Sequence, residues 1–244
     1  MQDFVHLHVH TQYSILDGQA SIPRLVDKAM ADGMKGIAVT DHGDMFGIKE
    51  FFNYVNKKNS STNSEIKDLK KRIAGLEKGT VECDNPETEL VACKEKLETA
   101  KKKLFKPIFG CEMYVARRRL FNKEGKPDQS GYHLVVLAKN EKGYHNLIKL
   151  VSKAWTEGFY MRPRTDRKKK KKYHEGLIAG EVPRNIIAGK YEEAEEAIQW
   201  YKRVFGDDFY LELQRHKATV PRANHEAYKL QQIANEKLIE YSKK

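Results

Sequence analysis

Cysteine is scarce in this chain. Cys83, Cys93 and Cys111 are its only three in 244 residues, an odd number without zinc-ribbon spacing. That argues against a disulfide framework and for a reducing compartment, with the three as ordinary thiols. Long apolar runs are missing too. No stretch approaches the roughly 18 apolar residues a membrane-spanning helix needs, and no basic segment followed by an apolar one opens the chain as a secretory leader would. The expected location is therefore cytoplasmic, with no membrane partner. Acidic residues are in deficit, 34 Asp and Glu against 45 Lys and Arg, and the resulting charge of +11 favours polyanionic partners. Much of the excess lies in lysine runs at 101–103 and 168–172, which read as solvated surface.

What the chain does have begins at Phe4-Val5-His6-Leu7-His8-Val9-His10-Thr11. Side chains alternate along an extended strand, so His6, His8 and His10 would share one face and Val5, Leu7 and Val9 the other. A face so rich in imidazole nitrogens suggests metal binding, against the plainer alternative of a surface strand that happens to carry histidines. A turn ending in Asp17-Gly18 follows. Ser21 at an N-cap position, Pro23 in the first turn and the stripe Leu25, Val26, Ala29, Met30 closed by Gly33 predict a helix. Gly36-Ile37-Ala38-Val39-Thr40 then reads as a short buried strand running into Asp41-His42-Gly43. Strand, helix, strand predicts parallel neighbours in an α/β sheet, whose chemistry sits where strands end.

Two further strands carry candidate ligands. Pro107-Ile108-Phe109-Gly110-Cys111-Glu112-Met113-Tyr114-Val115 places an acid inside an apolar run, and a buried carboxylate needs a cation. A metal or a salt bridge to Arg117 or Arg118 would meet that need. Tyr132-His133-Leu134-Val135-Val136-Leu137-Ala138 starts with a histidine, and the helix after it has Leu147, Ile148, Val151 and Trp155 at apolar positions. His145 on that helix reads as an ordinary surface residue. Between these motifs, at about 57–106, Ile66, Leu69, Ile73 and Leu76 and then Leu90, Cys93, Leu97, Ala100 and Leu104 form two narrow stripes among Lys and Glu. They predict an inserted, coiled-coil-like helical hairpin broken at Gly79 and at Asp84-Asn85-Pro86. Near the end, a helix with Ala194, Ala197, Ile198, Tyr201 and Val204 inward, a strand at Phe209-Tyr210-Leu211-Glu212-Leu213 and a helix over 221–239 complete the pattern. That last helix would expose an apolar face in the absence of a closing strand.

These residues carry a resemblance. Val5-His6-Leu7-His8-Val9-His10-Thr11-Gln12-Tyr13-Ser14 through Asp17-Gly18, Val39-Thr40-Asp41-His42-Gly43 with Met45-Phe46-Gly47, and Phe109-Gly110-Cys111-Glu112 are similar to the PHP (polymerase and histidinol phosphatase) domain that opens bacterial DNA polymerase III alpha subunits. So are His133-Leu134-Val135-Val136-Leu137-Ala138, Gly158-Phe159-Tyr160-Met161-Arg162-Pro163-Arg164 and Glu181-Val182-Pro183-Arg184. The resemblance implies an α/β fold, a distorted and incomplete (β/α)7 barrel spanning residues 1–244 with the helical arm inserted. It also implies metal ligands at His8, His10, Asp17, His42, Glu112 and His133. Asp41 and His42 form the implied catalytic pair, Asp41 standing behind the ligands. This donor set suits Zn²⁺ or Mn²⁺, up to three ions in the family, and a hydrolytic site for phosphodiesters. The implied partners are DNA, through the parent polymerase, and proofreading or clamp-associated replisome proteins.

Some of the family pattern is absent. Leu177-Ile178 runs directly into Ala179-Gly180-Glu181, without the cysteine-bearing turn the family places after this strand, and no closing Asn-Asp-x-His strand follows the last helix. The implied picture is thus an N-terminal PHP domain lacking internal and C-terminal motif segments, without palm or fingers and unable by itself to extend a primer. Three functions stay open on the sequence. One is a metal-dependent phosphoesterase or 3′–5′ exonuclease within a replicative nucleotidyltransferase. Another is a structural metal-binding module that supports the polymerase and docks a proofreading partner, which the missing ligands favour for this chain. The last is a stand-alone histidinol-phosphatase-like hydrolase, which the polymerase-like stretches at 160–164 and 181–184 disfavour.

Overall fold

A computed structural model describes residues 4–129, 131–181, 186, 189–215 and 227–243. The chain divides into two compact units, one made of Met1–Gln12, Asp17–Val39 and Gly47–Ile108, the other of Tyr13–Leu16, Thr40–Phe46 and Phe109–Lys244.

The first unit departs from expectation at its start. Residues 4–10 form no regular strand: Ala38 N–H donates to His6 O at 2.9 Å, but the chain bends at His8 and turns after Thr11, which interrupts a ladder. Helix α1 (Ile22–Ala31) buries Ile22, Val26 and Ala29, and Gly33 closes it at φ 78°, donating to Met30 O while Met34 N–H reaches back to Ala29 O. Strand β1 (Gly36–Val39) is buried throughout. Helix α2 (Ile48–Lys58) buries Ile48, Phe51 and Val55.

Helices α3 (Ser60–Glu77) and α4 (Pro86–Lys103) form the hairpin that the stripes predict. Ile73, Leu76 and Cys93 are buried between them, with Leu69, Leu90 and Leu97 packed around. Arg72–Glu89 at 2.7 Å and Lys94–Glu77 at 2.9 Å cross from helix to helix. The base is fastened by one side chain: buried Asn59 donates from Nδ2 to Phe105 O at 2.9 Å and accepts from Phe105 N–H at 3.1 Å. An amide can match both backbone groups at once, so Asn59 ties the two ends of the arm to each other.

Strand β2 (Lys106–Val115) begins in the first unit, where Lys106 N–H donates to Lys35 O at 2.8 Å, and continues into the second. There α5 (Gly125–Gln129), β3 (Tyr132–Ala138), α6 (Glu141–Thr156), β4 (Arg164–Thr165), α7 (Arg167–Lys172), β5 (Leu177–Glu181), α8 (Tyr191–Phe205), β6 (Phe209–Leu211) and α9 (Ala227–Tyr241) follow. The strand order is β2-β3-β5-β6, with β4 on β2. β3 is antiparallel to both β2 and β5, while β4 and β6 run parallel to their partners. The expected α/β class holds. Among the described residues the sheet stays open, consistent with a distorted, incomplete barrel.

Alternation along β2 and β3 decides which face does what. Cys111, Met113 and Val115, with Leu134 and Val136, pack on Leu147, Leu150 and Val151 of α6 and on Tyr201 and Phe205 of α8. Glu112, Tyr114, His133 and Val135 therefore project from the opposite face. Asn140 caps α6 by accepting from Gly143 N–H at 2.9 Å. Its buried stripe is Leu147, Leu150, Val151 and Ala154, whereas Ile148 and Trp155, expected to share it, are 37% and 41% exposed. A 3.6-residue repeat puts positions 148 and 155 one step off the inward line.

Another correction concerns the lysine run. It forms α7, and Lys170 is fully buried: its ammonium donates to Tyr201 Oη and lies 4.4 Å from that ring's centre. Asp166 caps the helix through Lys169 N–H at 2.9 Å, which fixes the rotation that turns position 170 inward. On α9, Ala234 and Leu238 pack with Ile186 and Ala194, while Leu230, Ile233 and Ile239 stay exposed as expected. The first part of the predicted 221–239 helix and most of the stretch 181–184 lie outside the described residues. No helix among the described residues is long and apolar enough to cross a membrane.

Candidate metal centre

Glu112 is the hub of the second unit's polar face. Only 5% of it is exposed, and backbone bonds hold its strand segment on both sides: Glu112 N–H donates to Asp41 O at 3.0 Å, and Gly43 N–H donates to Glu112 O at 2.9 Å. These two bonds set His42 directly beside it. In the β2–β3 register Glu112 lies opposite Val135, so His133, two residues away, is its diagonal neighbour on the same face.

The carboxylate consequently lies between two imidazoles. His42 Nδ1 is 2.6 Å from Oε2, and His133 Nδ1 is 2.6 Å from Oε1. Ligand atoms from the three residues lie within 4.8 Å of one another. The arginines that could instead have met Glu112 are engaged elsewhere: Arg118 pairs with Asp128 and Glu124, and the Arg117 guanidinium lies over the Tyr132 ring. Two ring nitrogens and one nearly buried carboxylate make a donor set that fits a borderline divalent cation such as Zn²⁺ or Mn²⁺.

Neighbouring groups hold this set in place. Asp41, 1% exposed, accepts from Ser14 Oγ at 2.8 Å, and the same Oγ accepts from His42 N–H at 3.1 Å. Asp41 thus acts on the His42 backbone through a serine rather than standing among the converging donors. The Tyr114 ring, on the same face as Glu112, lies 6.0 Å from the His42 ring and 5.0 Å, edge-on, from that of His133. Neither Ser14 nor Tyr114 is among the functional positions that the sequence predicts. Tyr114 is legible from alternation, two residues beyond Glu112; Ser14 lies in the first PHP-like stretch, but no spacing gives it a role.

In the first unit, His8 and His10 meet with their Nε2 atoms 3.1 Å apart. The alternate spacing brings them together even without a regular strand, while the His6 ring turns to Phe4, 4.8 Å away. Asp17 is exposed on its turn and belongs to no three-residue donor group among the described residues. His145 is exposed, 3.9 Å from Glu141. Cys111, next to Glu112, is buried with its thiol pushed well above the usual range by burial, an inert core residue.

The loop leading into β4 is fastened by a buried arginine. Arg164 donates to four backbone carbonyls, those of Gly158 (3.1 Å), Asp128 (3.0 Å), Leu120 (3.2 Å) and Asn122 (3.1 Å). It locks the 120–128 loop to the 158–164 loop beside Tyr114.

Residues 6–216 match the sequence profile described as the PHP domain. The chain belongs to the PHP domain family. It is 40% identical to the DNA polymerase III subunit alpha of Borreliella burgdorferi over 98% of this chain and 17% of that protein. The corresponding proteins of Treponema pallidum and Aquifex aeolicus are 37% and 33% identical, over 87% and 100% of this chain and 15% and 17% of theirs. This PHP chain therefore spans about a sixth of the length of these relatives. The kinship that the motifs suggest is borne out.

Proposed function

We propose that this chain is the PHP module of a replicative DNA polymerase III alpha subunit and that its polar face is a metal-dependent phosphoesterase site acting on DNA ends. The ligands on this face are His42, Glu112 and His133, and the ion is Zn²⁺ or Mn²⁺. The observation that carries this reading is the Glu112 carboxylate held, nearly buried, between two imidazole nitrogens in a member of a family named for phosphatases. When bound, the cation supplies Lewis-acid stabilisation of charge on a phosphoryl oxygen. The chain's own groups supply position: Ser14 and Asp41 fix His42, and the Tyr114 ring limits how the two imidazoles can turn. His42 and His133 are each half-buried, so the face stays open to a substrate.

The alternative is a metal that serves folding alone, in a module that supports the polymerase and docks a proofreading partner. It is favoured by β5, which runs from Leu177 to Glu181 with no cysteine in it. Metal analysis and hydrolysis of a 3′-mismatched primer separate the two. The expected result is bound Zn or Mn in the purified chain and chelator-sensitive hydrolysis, both reduced at least ~10-fold in Glu112→Gln and His133→Ala. Bound metal whose removal lowers the melting temperature, with no hydrolysis at any metal loading, would establish the folding role instead. Absence of metal above background would defeat both.

A further inference from the structure

Large aromatic rings stand exposed beside the candidate ligands. Phe46, Trp155 and Phe159 are 60, 41 and 46% exposed, although rings of this size ordinarily contribute most when hidden from water. They form a row rather than a scatter. Ring centroids of Phe46 and Trp155 are 6.0 Å apart, and those of Trp155 and Phe159 are 5.6 Å apart and nearly parallel, at 21°.

The row is tied to the ligands at its middle. Trp155 Nε1–H donates to Gly43 O at 2.9 Å, and Gly43 directly follows His42. Gly43 has φ 66°, and a Cβ there would lie 2.6 Å from Pro163 Cγ and 3.2 Å from the Tyr114 ring, so only glycine lets the 158–163 loop close on this point. Within that loop Met161 holds φ 60°, unusual for a residue with a side chain, and the turn it makes sets the Arg162 guanidinium 5.5 Å from the centre of the Tyr114 ring. Tyr114 in turn contacts His42 and His133. A line of π faces and a cation thus border the ligands, in a chain with a charge of +11.

We propose that Phe46, Trp155 and Phe159 form a stacking platform for the unpaired bases of a single-stranded nucleic acid, with Arg162 taking a backbone phosphate, so that the strand's terminal phosphodiester is delivered to His42, Glu112 and His133. Only this last step rests on the phosphoesterase reading. Every base has a π face, so such a row binds without regard to sequence. A duplex would offer it only covered faces. The cation and the basic charge of the chain favour a polyanion over an apolar protein surface.

The test is binding of a fluorescein-labelled oligothymidylate of about 12 nucleotides, followed by anisotropy in the presence of a chelator so that no metal is needed. Phe46→Ala and Phe159→Ala leave the Gly43 bond and every ligand intact. The double variant is expected to bind about 10- to 100-fold more weakly, with unchanged circular dichroism and metal content. In Trp200→Phe protein, where Trp155 is the remaining tryptophan, saturation with the oligonucleotide is expected to quench the emission. Equal affinity in the double variant would overturn the platform. So would an unquenched Trp155, the outcome expected if the row docks a protein, or equal sensitivity of inorganic polyphosphate binding to the two substitutions. Intact, ring-dependent binding without hydrolysis would leave the platform standing and remove the phosphoesterase reading. Lost ring dependence with hydrolysis of a small phosphodiester retained would do the reverse.

Discussion

Single residues in this chain are governed by what burial does to charge. Lys170 and Glu181 are both nearly fully removed from water; burial pushes the ammonium down, to about 7, and the carboxyl up, to about 7. Glu181 Oε2 finds no hydrogen-bond partner among the described residues. Because the folded carboxyl holds its proton to higher pH than the unfolded one, Glu181 lowers stability as pH rises from about 4.5 to 7. Glu181→Gln removes that titration. Denaturant unfolding is expected to show no change against the parent near pH 5 and a gain of about 1–3 kcal/mol by pH 8. A variant less stable at both pH values would mean that attraction to Lys170 outweighs the desolvation of the carboxylate. The sequence does not mark this burial, because a run of identical lysines has no pattern from which to choose the one that turns inward.

At the scale of elements, legibility followed periodicity. Strands β2 and β3, helices α1 and α6 and both arm helices lie where apolar spacing puts them, since burial of one face fixes register. Candidate ligands His42, Glu112 and His133 were legible for the same reason, each lying on a buried strand or just past its end. The opening segment misled, because alternation of histidine and aliphatics states a preference for extended backbone but not whether a neighbour completes the ladder. Loops such as 158–164 have no period, and their order comes from Arg164. A lysine there would keep the charge but lacks the planar fork that serves four carbonyls, stranding buried acceptors. Arg164→Lys is accordingly expected to cost about 3–5 kcal/mol, read as a lower urea midpoint at unchanged slope. A loss under 1 kcal/mol would show that water can replace the guanidinium.

For the molecule as a whole, charge and aromatic contact act as separable contributions. Part of the positive excess, Arg117, Arg118, Arg119, Arg167 and Lys168, lines a cavity of about 380 Å³ in the second unit. Phosphate neutralisation weakens as salt rises, whereas stacking does not depend on counterions. Oligonucleotide affinity should therefore fall steeply between low and high salt, while the ratio between the parent and the Phe46→Ala, Phe159→Ala double variant stays constant. A ratio that shrinks with salt would show that the rings matter only through the charges near them. The other unit has its own consequence. One amide, Asn59, clasps both ends of the α3–α4 arm, and the far tip around Gly79 lies at the other end of both helices from that clasp. Fluorophores, affinity handles or additional helical turns can be installed at the tip as on the end of a boom, reporting on what approaches without disturbing where the boom is bolted.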